Sequence, residues 1–393
     1  MYSIKTLNSI SPVYADVLDL EKYAVNADIE NPDAIIVRSA DMHSYEPAEN
    51  MLCVARAGAG YNNIPVDEYA EKGIVAFNTP GANANAVKEL AITGLLLSSR
   101  KIVDGIKWCD TIKDQGDQVG KLVEKGKSKF VGPELAGKTL GVIGLGAIGR
   151  LVANTCLGFD MRVMGNDPYI SVDNAWQLAR NVEHSTDMDK MLGECDYVSI
   201  HVPLTDTNKN MFNAETIAKM KDGAVLMNFS RGGLVDNQAV IEAVTSGKLR
   251  AYVTDFPAAE LIGVDGVICI PHLGASTPES EDNCVRMASN QISAYLENGS
   301  IINSVNYPNC ELGPVIKPRV CVLHQNVPNV IQAVLRTVTE SGENINIDNM
   351  VNKSRGKYAC TVLDMDHTPS DELVAKIAEI DTAYRVRLLM PGK

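Results

Sequence analysis

The feature that most restricts how this chain can fold is the run Gly141-Val-Ile-Gly144-Leu-Gly146-Ala-Ile-Gly149. It follows the apolar stretch Thr139–Ile143 and opens the amphipathic stretch Ala147–Leu157. In a G-x-G-x-x-G turn of this kind Gly144 makes the tight turn, Gly146 lets a pyrophosphate approach the backbone, and Gly149 lets the helix pack on the sheet. The helix N-terminus then faces the phosphate charge. An acidic residue should close the next strand, and Asp167 stands 167 − 144 = 23 positions after Gly144. Its carboxylate can accept both hydroxyls of an adenosine ribose and would repel a 2′-phosphate. Asn166, Pro168 and Tyr169 bring no cation to reverse that preference. The expected cofactor is NAD.

Around this motif short apolar runs alternate with amphipathic stretches. Strands are expected at Thr139–Ile143, Arg162–Asn166, Tyr197–Val202, Ala224–Phe229, Leu249–Thr254 and Val267–Ile270, with helices such as Ala214–Met220 and Gln238–Ser246 between them. Six such runs separated by helices imply an α/β fold with a doubly wound parallel sheet of Rossmann type. The first hundred residues repeat the alternation more weakly, at Ala34–Val37, Leu52–Ala55 and Ile74–Phe77, and end in a helix from Asn85 to about Trp108. The helix Glu279–Leu296 returns the chain to this smaller domain, and Asn303–Pro318, rich in Pro and Asn, reads as a linker. Arg319–Lys393 reads β-α-β-β-α-β. The expected domains are residues 1–96 with 284–305, residues 97–283, and residues 318–393.

The 393 residues, 45% hydrophobic and 22% charged, suffice for two or three domains with real cores. A formal net charge of −13 argues against nucleic acid as a partner, because phosphate binding needs clustered Lys and Arg. The one basic stretch, Lys121 to Lys129, is a solvated surface or a contact with an anionic substrate. No apolar run nears the roughly 20 residues of a membrane span. Nine cysteines without a CxxC pair read as reduced thiols in a cytoplasmic protein, and no metal is expected.

Oxidation of an alcohol carbon by hydride loss needs a base for the hydroxyl proton, a cation for a substrate carboxylate, and a group that tunes the base. Three residues lie beyond strand ends, where a doubly wound sheet places its ligands. Arg231, before Gly232-Gly233, offers a planar fork that grips a carboxylate at two points. His272, after Val267–Pro271, is the general acid/base. Glu260, beyond Leu249–Asp255, could pair with the imidazole, with Asp265 as the fallback.

With those residues in place, the chain resembles the D-isomer-specific 2-hydroxyacid dehydrogenases over essentially its whole length. Leu135-Ala-Gly-Lys-Thr-Leu-Gly-Val-Ile-Gly-Leu-Gly, Arg231-Gly-Gly-Leu-Val-Asp236 and Pro271-His-Leu-Gly-Ala-Ser-Thr277 carry the likeness. The resemblance implies the catalytic set Arg231, Glu260 and His272, the Glu lying five residues after Asp255, which faces the nicotinamide. It also implies cofactor contacts at Ala147, Ile148, His201, Val202, Pro203, Thr207, Ser230 and Gly274. Substrate contacts fall on Arg38 and Ser39, on the turn Ala57-Gly58-Ala59-Gly60, and on Asn83, with Arg38 at the position for a substrate phosphate. The implied reaction is 3-phospho-D-glycerate plus NAD to 3-phosphohydroxypyruvate plus NADH, the entry to L-serine biosynthesis. The alternatives are reduction of hydroxypyruvate or glyoxylate, a D-lactate dehydrogenase, or a non-catalytic NAD-sensing protein.

The resemblance further implies a flavodoxin-like substrate domain, a homodimer or homotetramer, and a C-terminal ferredoxin-like ACT domain that senses L-serine through His324, Asn326 and Asn344. Two departures stand out. The Pro that usually follows the Glu is Leu261, and only residues 261–271 separate Glu260 from His272. In the C-terminal domain Asn329 replaces a glycine, and Asn is the best other residue for a left-handed turn.

Overall fold

The computed structural model describes residues 1–392; Lys393, the last residue of the expected C-terminal domain, lies outside the described residues. The chain forms two compact units, Met1–Asn83 with the chain from Pro278 onward, and Ala84–Thr277.

The first unit opens with β1 (Tyr2–Leu7), β2 (Tyr23–Asn26), β3 (Ala34–Val37), β4 (Cys53–Arg56) and β5 (Val75–Phe77). They form a parallel sheet in the order β2-β1-β3-β4-β5, the flavodoxin-like order. β3 is buried throughout, as a parallel strand covered on both faces must be. β1 and β2 escape a sequence reading because polar residues such as Lys5, Thr6 and Asn26 break their apolar runs. The helix Pro278–Asn298 lays Cys284, Val285, Ala288, Ile292, Tyr295 and Leu296 against Ile4, Ile36, Ala55 and Phe77. That spacing, three or four residues apart, is one face of a helix.

The second unit carries β6 (Thr139–Ile143), β7 (Arg162–Asn166), β8 (Val182–His184), β9 (Tyr197–Ile200), β10 (Ala224–Asn228), β11 (Leu249–Thr254) and β12 (Val267–Cys269). All seven are parallel, ordered β12-β11-β10-β9-β6-β7-β8. The chain winds outward from β6 in one direction and then from β9 in the other, so the crevice between β6 and β9 is the topological switch point. The expected helix from Asn85 to Trp108 is two helices, Ala84–Ser99 and Ile102–Thr111. The first belongs to this unit: Gly94 sits so close to Phe229 and Val253 that a Cβ there would lie 2.5 Å from the Phe229 ring. The boundaries therefore fall at 83/84 and 277/278, earlier than the expected 96/97 and 283/284. Residues 110–129 fold back as short helices that bring the Phe130 and Trp108 ring centres to 5.4 Å.

The C-terminal region rejoins the first unit. β13 (Arg319–Gln325), β14 (Ile347–Arg355), β15 (Tyr358–Met365) and β16 (Ala383–Leu389) make an antiparallel sheet ordered β14-β15-β13-β16. With the helices Val330–Thr339 and Asp371–Ala378 this is the ferredoxin-like β-α-β-β-α-β arrangement. Val320, Val322, Leu363 and Met365 pack under the helices. The opposite sheet face, Cys321, Leu323, Tyr358, Cys360 and Val362, joins the core that holds Phe77 and Tyr295. The Arg387 guanidinium stacks 4.7 Å from the Tyr295 ring and donates to the carbonyls of Tyr295 and Leu296. A region expected to stand apart is thus packed into the first unit.

Candidate active site

β6 delivers Gly144 to the switch point. Gly144 has φ +86°, and a Cβ there would lie 2.6 Å from the carbonyl oxygen of His201, which leaves β9. A Cβ on Gly149 would lie 1.9 Å from the Gly144 carbonyl, so only glycine lets the helix Ala147–Leu157 close on the turn. Gly146 differs: nothing lies within 4 Å of a Cβ built there. Gly146, Ala147 and Ile148 are half-buried and face this open space, with no side chain capping the helix. Backbone N–H groups without partners over an open space form an anion cradle. Asp167 closes β7 and is fixed by the amides of Leu145 at 2.8 Å and Tyr169 at 2.9 Å. His201 contacts the Ser199 hydroxyl at 2.8 Å through Nε2, while its buried Nδ1 has no partner. Burial pushes its pKa down to about 4, so the ring is neutral at pH 7. Ser230 spends its hydroxyl on the Ile200 carbonyl. Val202, Pro203 and the exposed Thr207 lie in the loop after β9. These residues fit a dinucleotide: an open glycine cradle, a carboxylate fixed at the end of the next strand, and an unpartnered ring nitrogen.

β10, β11 and β12 are neighbours in the sheet, and their C-terminal ends carry Arg231, Asp255 and His272. Asp255 is buried, and its Oδ1 has no hydrogen-bond partner. Burial pushes its carboxyl up to about 6; the charges of His272 and Arg231 and the backbone of Gly274 favour ionisation and limit the rise. Gly274 is buried against Val87 and the Asp255 carboxyl. His272 is exposed, its ring 4.8 Å from that of Phe256. Arg231 is also exposed and braces one guanidinium nitrogen on its neighbour's carbonyl, Ser230 O, at 2.6 Å. An imidazole, a guanidinium and a buried carboxylate thus stand beyond the ends of three neighbouring strands.

Glu260 is not part of this cluster. Its carboxylate accepts from Asn237 at 2.8 Å, on the surface, and no hydrogen bond joins it to His272. The reason is local. Leu261 is drawn into the core, and tight turns with left-handed Gly263 and Gly266 follow, so Glu260 and Asp265 both point to solvent. The carboxylate that senses His272 is Asp255, which the sequence reading gave to the cofactor alone.

In the first unit, the turn after β4 rests on a residue the sequence reading missed. The Arg56 guanidinium donates to Arg38 O at 3.0 Å and Gly60 O at 2.9 Å. A Cβ on Gly58 would fall 2.5 Å from it, which explains the glycine. An arginine directly before Ala-Gly-Ala-Gly was the available signal. Asn78 holds the turn from another side, donating to Ala59 O at 2.6 Å. Ser39 gives its amide to Asn8. Arg38 is paired with Glu281 at 2.5 Å. Asn83 is half-buried where the first unit ends.

His324 is buried with both nitrogens engaged, Nδ1 on Gln325 O at 2.7 Å and Nε2 on the Thr361 hydroxyl at 2.8 Å. Both ring nitrogens are thus engaged within the sheet. Asn326 donates to Gly356 O, and Asn344 holds a left-handed turn at φ +54°. Asn329 does take the left-handed conformation expected of it, with φ 69°. Among the described residues no group of three metal-ligating side chains occurs, and no helix is long and apolar enough to cross a membrane.

Residues 95–274 match the family described as D-isomer specific 2-hydroxyacid dehydrogenase, NAD binding domain. A hydroxypyruvate reductase of Thermotoga maritima is 38% identical over 274 residues, 67% of this chain and 84% of that protein. A D-3-phosphoglycerate dehydrogenase of Methanocaldococcus jannaschii is 34% identical over 345 residues, 85% of this chain but 63% of that protein, so the chain spans less than two thirds of it. Among solved structures, the NAD+-bound 3-phosphoglycerate dehydrogenase of Entamoeba histolytica aligns with a TM-score of 0.60 at 24% identity. It covers 78% of this chain and 98% of that one, a likeness of fold.

Proposed function

The chain belongs to the D-isomer-specific 2-hydroxyacid dehydrogenases, and from that premise we propose that it oxidises 3-phospho-D-glycerate to 3-phosphohydroxypyruvate with NAD, at the entry to L-serine biosynthesis. The observation that carries the chemistry is the placing of Arg231, Asp255 and His272 at the ends of three adjacent strands in the unit that holds the glycine cradle. When bound, NAD supplies the hydride acceptor. Arg231 grips the substrate carboxylate at two points and polarises the oxygen on carbon 2. His272 takes the hydroxyl proton, and the ionised Asp255 stabilises the resulting imidazolium. The phosphate is assigned to Arg38, which exchanges Glu281 for substrate. We place the enzyme in the cytoplasm, where nine free thiols are stable, as a homodimer or homotetramer; light scattering of the purified chain tests the assembly. Serine sensing would require His324 to release both its present partners, so millimolar L-serine should leave the rate unchanged.

One specific observation favours a second reading, reduction of hydroxypyruvate: the T. maritima reductase is 38% identical and the chain spans 84% of it, against 34% and 63% for the M. jannaschii dehydrogenase. An NADH absorbance assay across 3-phosphoglycerate, glycolate, D-lactate and hydroxypyruvate separates the two. Turnover of hydroxypyruvate without turnover of any phosphorylated substrate would replace our reading with the second. Replacing Arg38 by Ala should raise KM for the phosphorylated substrate about tenfold to hundredfold, the worth of a charge-assisted phosphate contact, and should leave unphosphorylated acids nearly unaffected. Equal losses on both would make Arg38 a structural partner of Glu281.

Cofactor choice gives a separate test. Asp167 stands fixed by two amides, so its charge cannot swing away from a 2′-phosphate. NAD should be strongly preferred over NADP, and Asp167→Ala should narrow the ratio of the two kcat/KM values by about tenfold or more. A wild-type enzyme indifferent to the two cofactors would contradict the role of Asp167.

A further inference from the structure

A cleft of about 590 Å³ opens in the first unit, lined by Tyr61, Asn78, Asn303, Asn309, Lys353 and Arg355 together with smaller residues. It is built by three parts of the chain. Tyr61 follows the substrate turn directly, and Asn78 follows β5. The loop from Asn303 to Asn309 is tied to β5 by the bridge Phe77–Ser304. Lys353 and Arg355 come from β14. They sit two residues apart on the strand, on the face that carries Val351 into the core of the first unit, so both cations are turned toward the cleft.

The charge there is one-sided. In a chain of net charge −13 the cleft wall has two cations and no Asp or Glu. Arg355 spends one nitrogen on Ser304 O at 2.6 Å, which holds the guanidinium in place, and keeps its other N–H groups. Among the described residues Lys353 forms no ion pair. The remaining polar side chains on the wall, Asn78, Asn303, Asn309, Tyr61, Ser304 and Ser354, are neutral amides and hydroxyls.

Asn78 joins this cleft to the turn expected to bind substrate. Asn78 donates to Ala59 O, and across a trans peptide the Gly60 N–H points the opposite way. An anion in the cleft meets Asn78, while an anion held by the amides of the turn sits on the other side of the same peptide. Asn78 Nδ2 has two N–H donors and gives one to Ala59 O, so an occupant that takes the other pulls on the group that holds the turn.

We propose that this cleft is a second anion site, which takes a small phosphate-bearing molecule on Lys353 and Arg355 and acts on the substrate turn through Asn78. The test titrates inorganic phosphate at constant ionic strength into the full-length protein, read by calorimetry and by the 31P line width. Lys353→Gln should weaken binding about tenfold or more while its thermal melt stays the same, and Lys353→Arg should restore it. In the dehydrogenase assay, phosphate should change the wild-type rate even at saturating substrate. Lys353→Gln should match the wild type without phosphate and ignore it when added. Equal phosphate affinity in wild type and Lys353→Gln would overturn the proposal. So would strict competition between phosphate and substrate with a raised KM in Lys353→Gln, since the cleft would then belong to the substrate site. The binding measurement needs no turnover, so its outcome is independent of the reaction assigned above.

Discussion

His272→Ala should lower kcat by about 10²–10⁴-fold, the usual worth of a positioned general base. The imidazole is exposed and packs against the Phe256 ring. Removing it therefore costs little stability, so a loss of rate cannot be confused with a loss of fold. The glycine cradle and Asp167 lie at the ends of β6 and β7, across the switch point from β12. NADH affinity, followed by fluorescence titration, should accordingly stay close to that of the wild type. Arg231→Lys should fail differently. An ammonium cannot reproduce a two-point grip, so the defect should appear mainly in substrate KM. A His272→Ala enzyme with near-normal turnover would remove His272 from the mechanism.

What could be read from the residues, and what could not, follows from which signals are local. The glycine turn announces itself because two of its glycines answer a local demand, a positive φ at Gly144 and a backbone approach at Gly149, while a Cβ on Gly146 would meet only open space. Arg231 and His272 stand out because each follows an unbroken apolar strand, and strand ends in such a sheet are where ligands bind; the structure puts both beyond the ends of β10 and β12. Glu260 misleads because its spacing from Asp255 fits the resemblance, while the burial of Leu261 turns the loop and directs the carboxylate to Asn237. Nothing in the spacing shows that burial. The packing of the C-terminal sheet left a trace that went unused. Val320-Cys-Val-Leu323 is apolar without alternation, the pattern of a strand covered on both faces, which a lone domain with helices on one face would not need. His324 belongs to the same strand, which is why it is spent on structure.

Asp255→Asn should make the protein more stable and less active at once. The folded-state carboxyl titrates at about 6 against an ordinary value of 3.8, so folding takes up a proton between those two pH values. Below about pH 4 the group is neutral in both states and costs nothing. Above about pH 6 the buried carboxylate opposes folding by up to about 3 kcal/mol, the product of roughly 2.2 units and 1.36 kcal/mol per unit. The neutral amide escapes that penalty. It also leaves an N–H pair in a place where Oδ1 already lacks a partner, which reduces the gain. The variant should therefore melt at a higher temperature than the wild type at pH 8, and the gap should close as the pH falls from 6 to 4. Activity should move the other way, with kcat down on the order of 10²-fold at neutral pH, because the imidazolium forming at His272 loses the charge that stabilises it. Glu260→Gln, which alters a surface carboxylate bonded to Asn237, should change neither the melt nor the rate appreciably. If Glu260→Gln abolishes turnover while Asp255→Asn retains it, the loop must close in the working enzyme and Glu260 must reach His272 after all. If both variants stay active, the proton on His272 is stabilised by neither carboxylate. A pH-dependent gain in stability at Asp255, paired with a loss of rate at the same position, is the outcome that identifies this residue as the buried charge kept for catalysis.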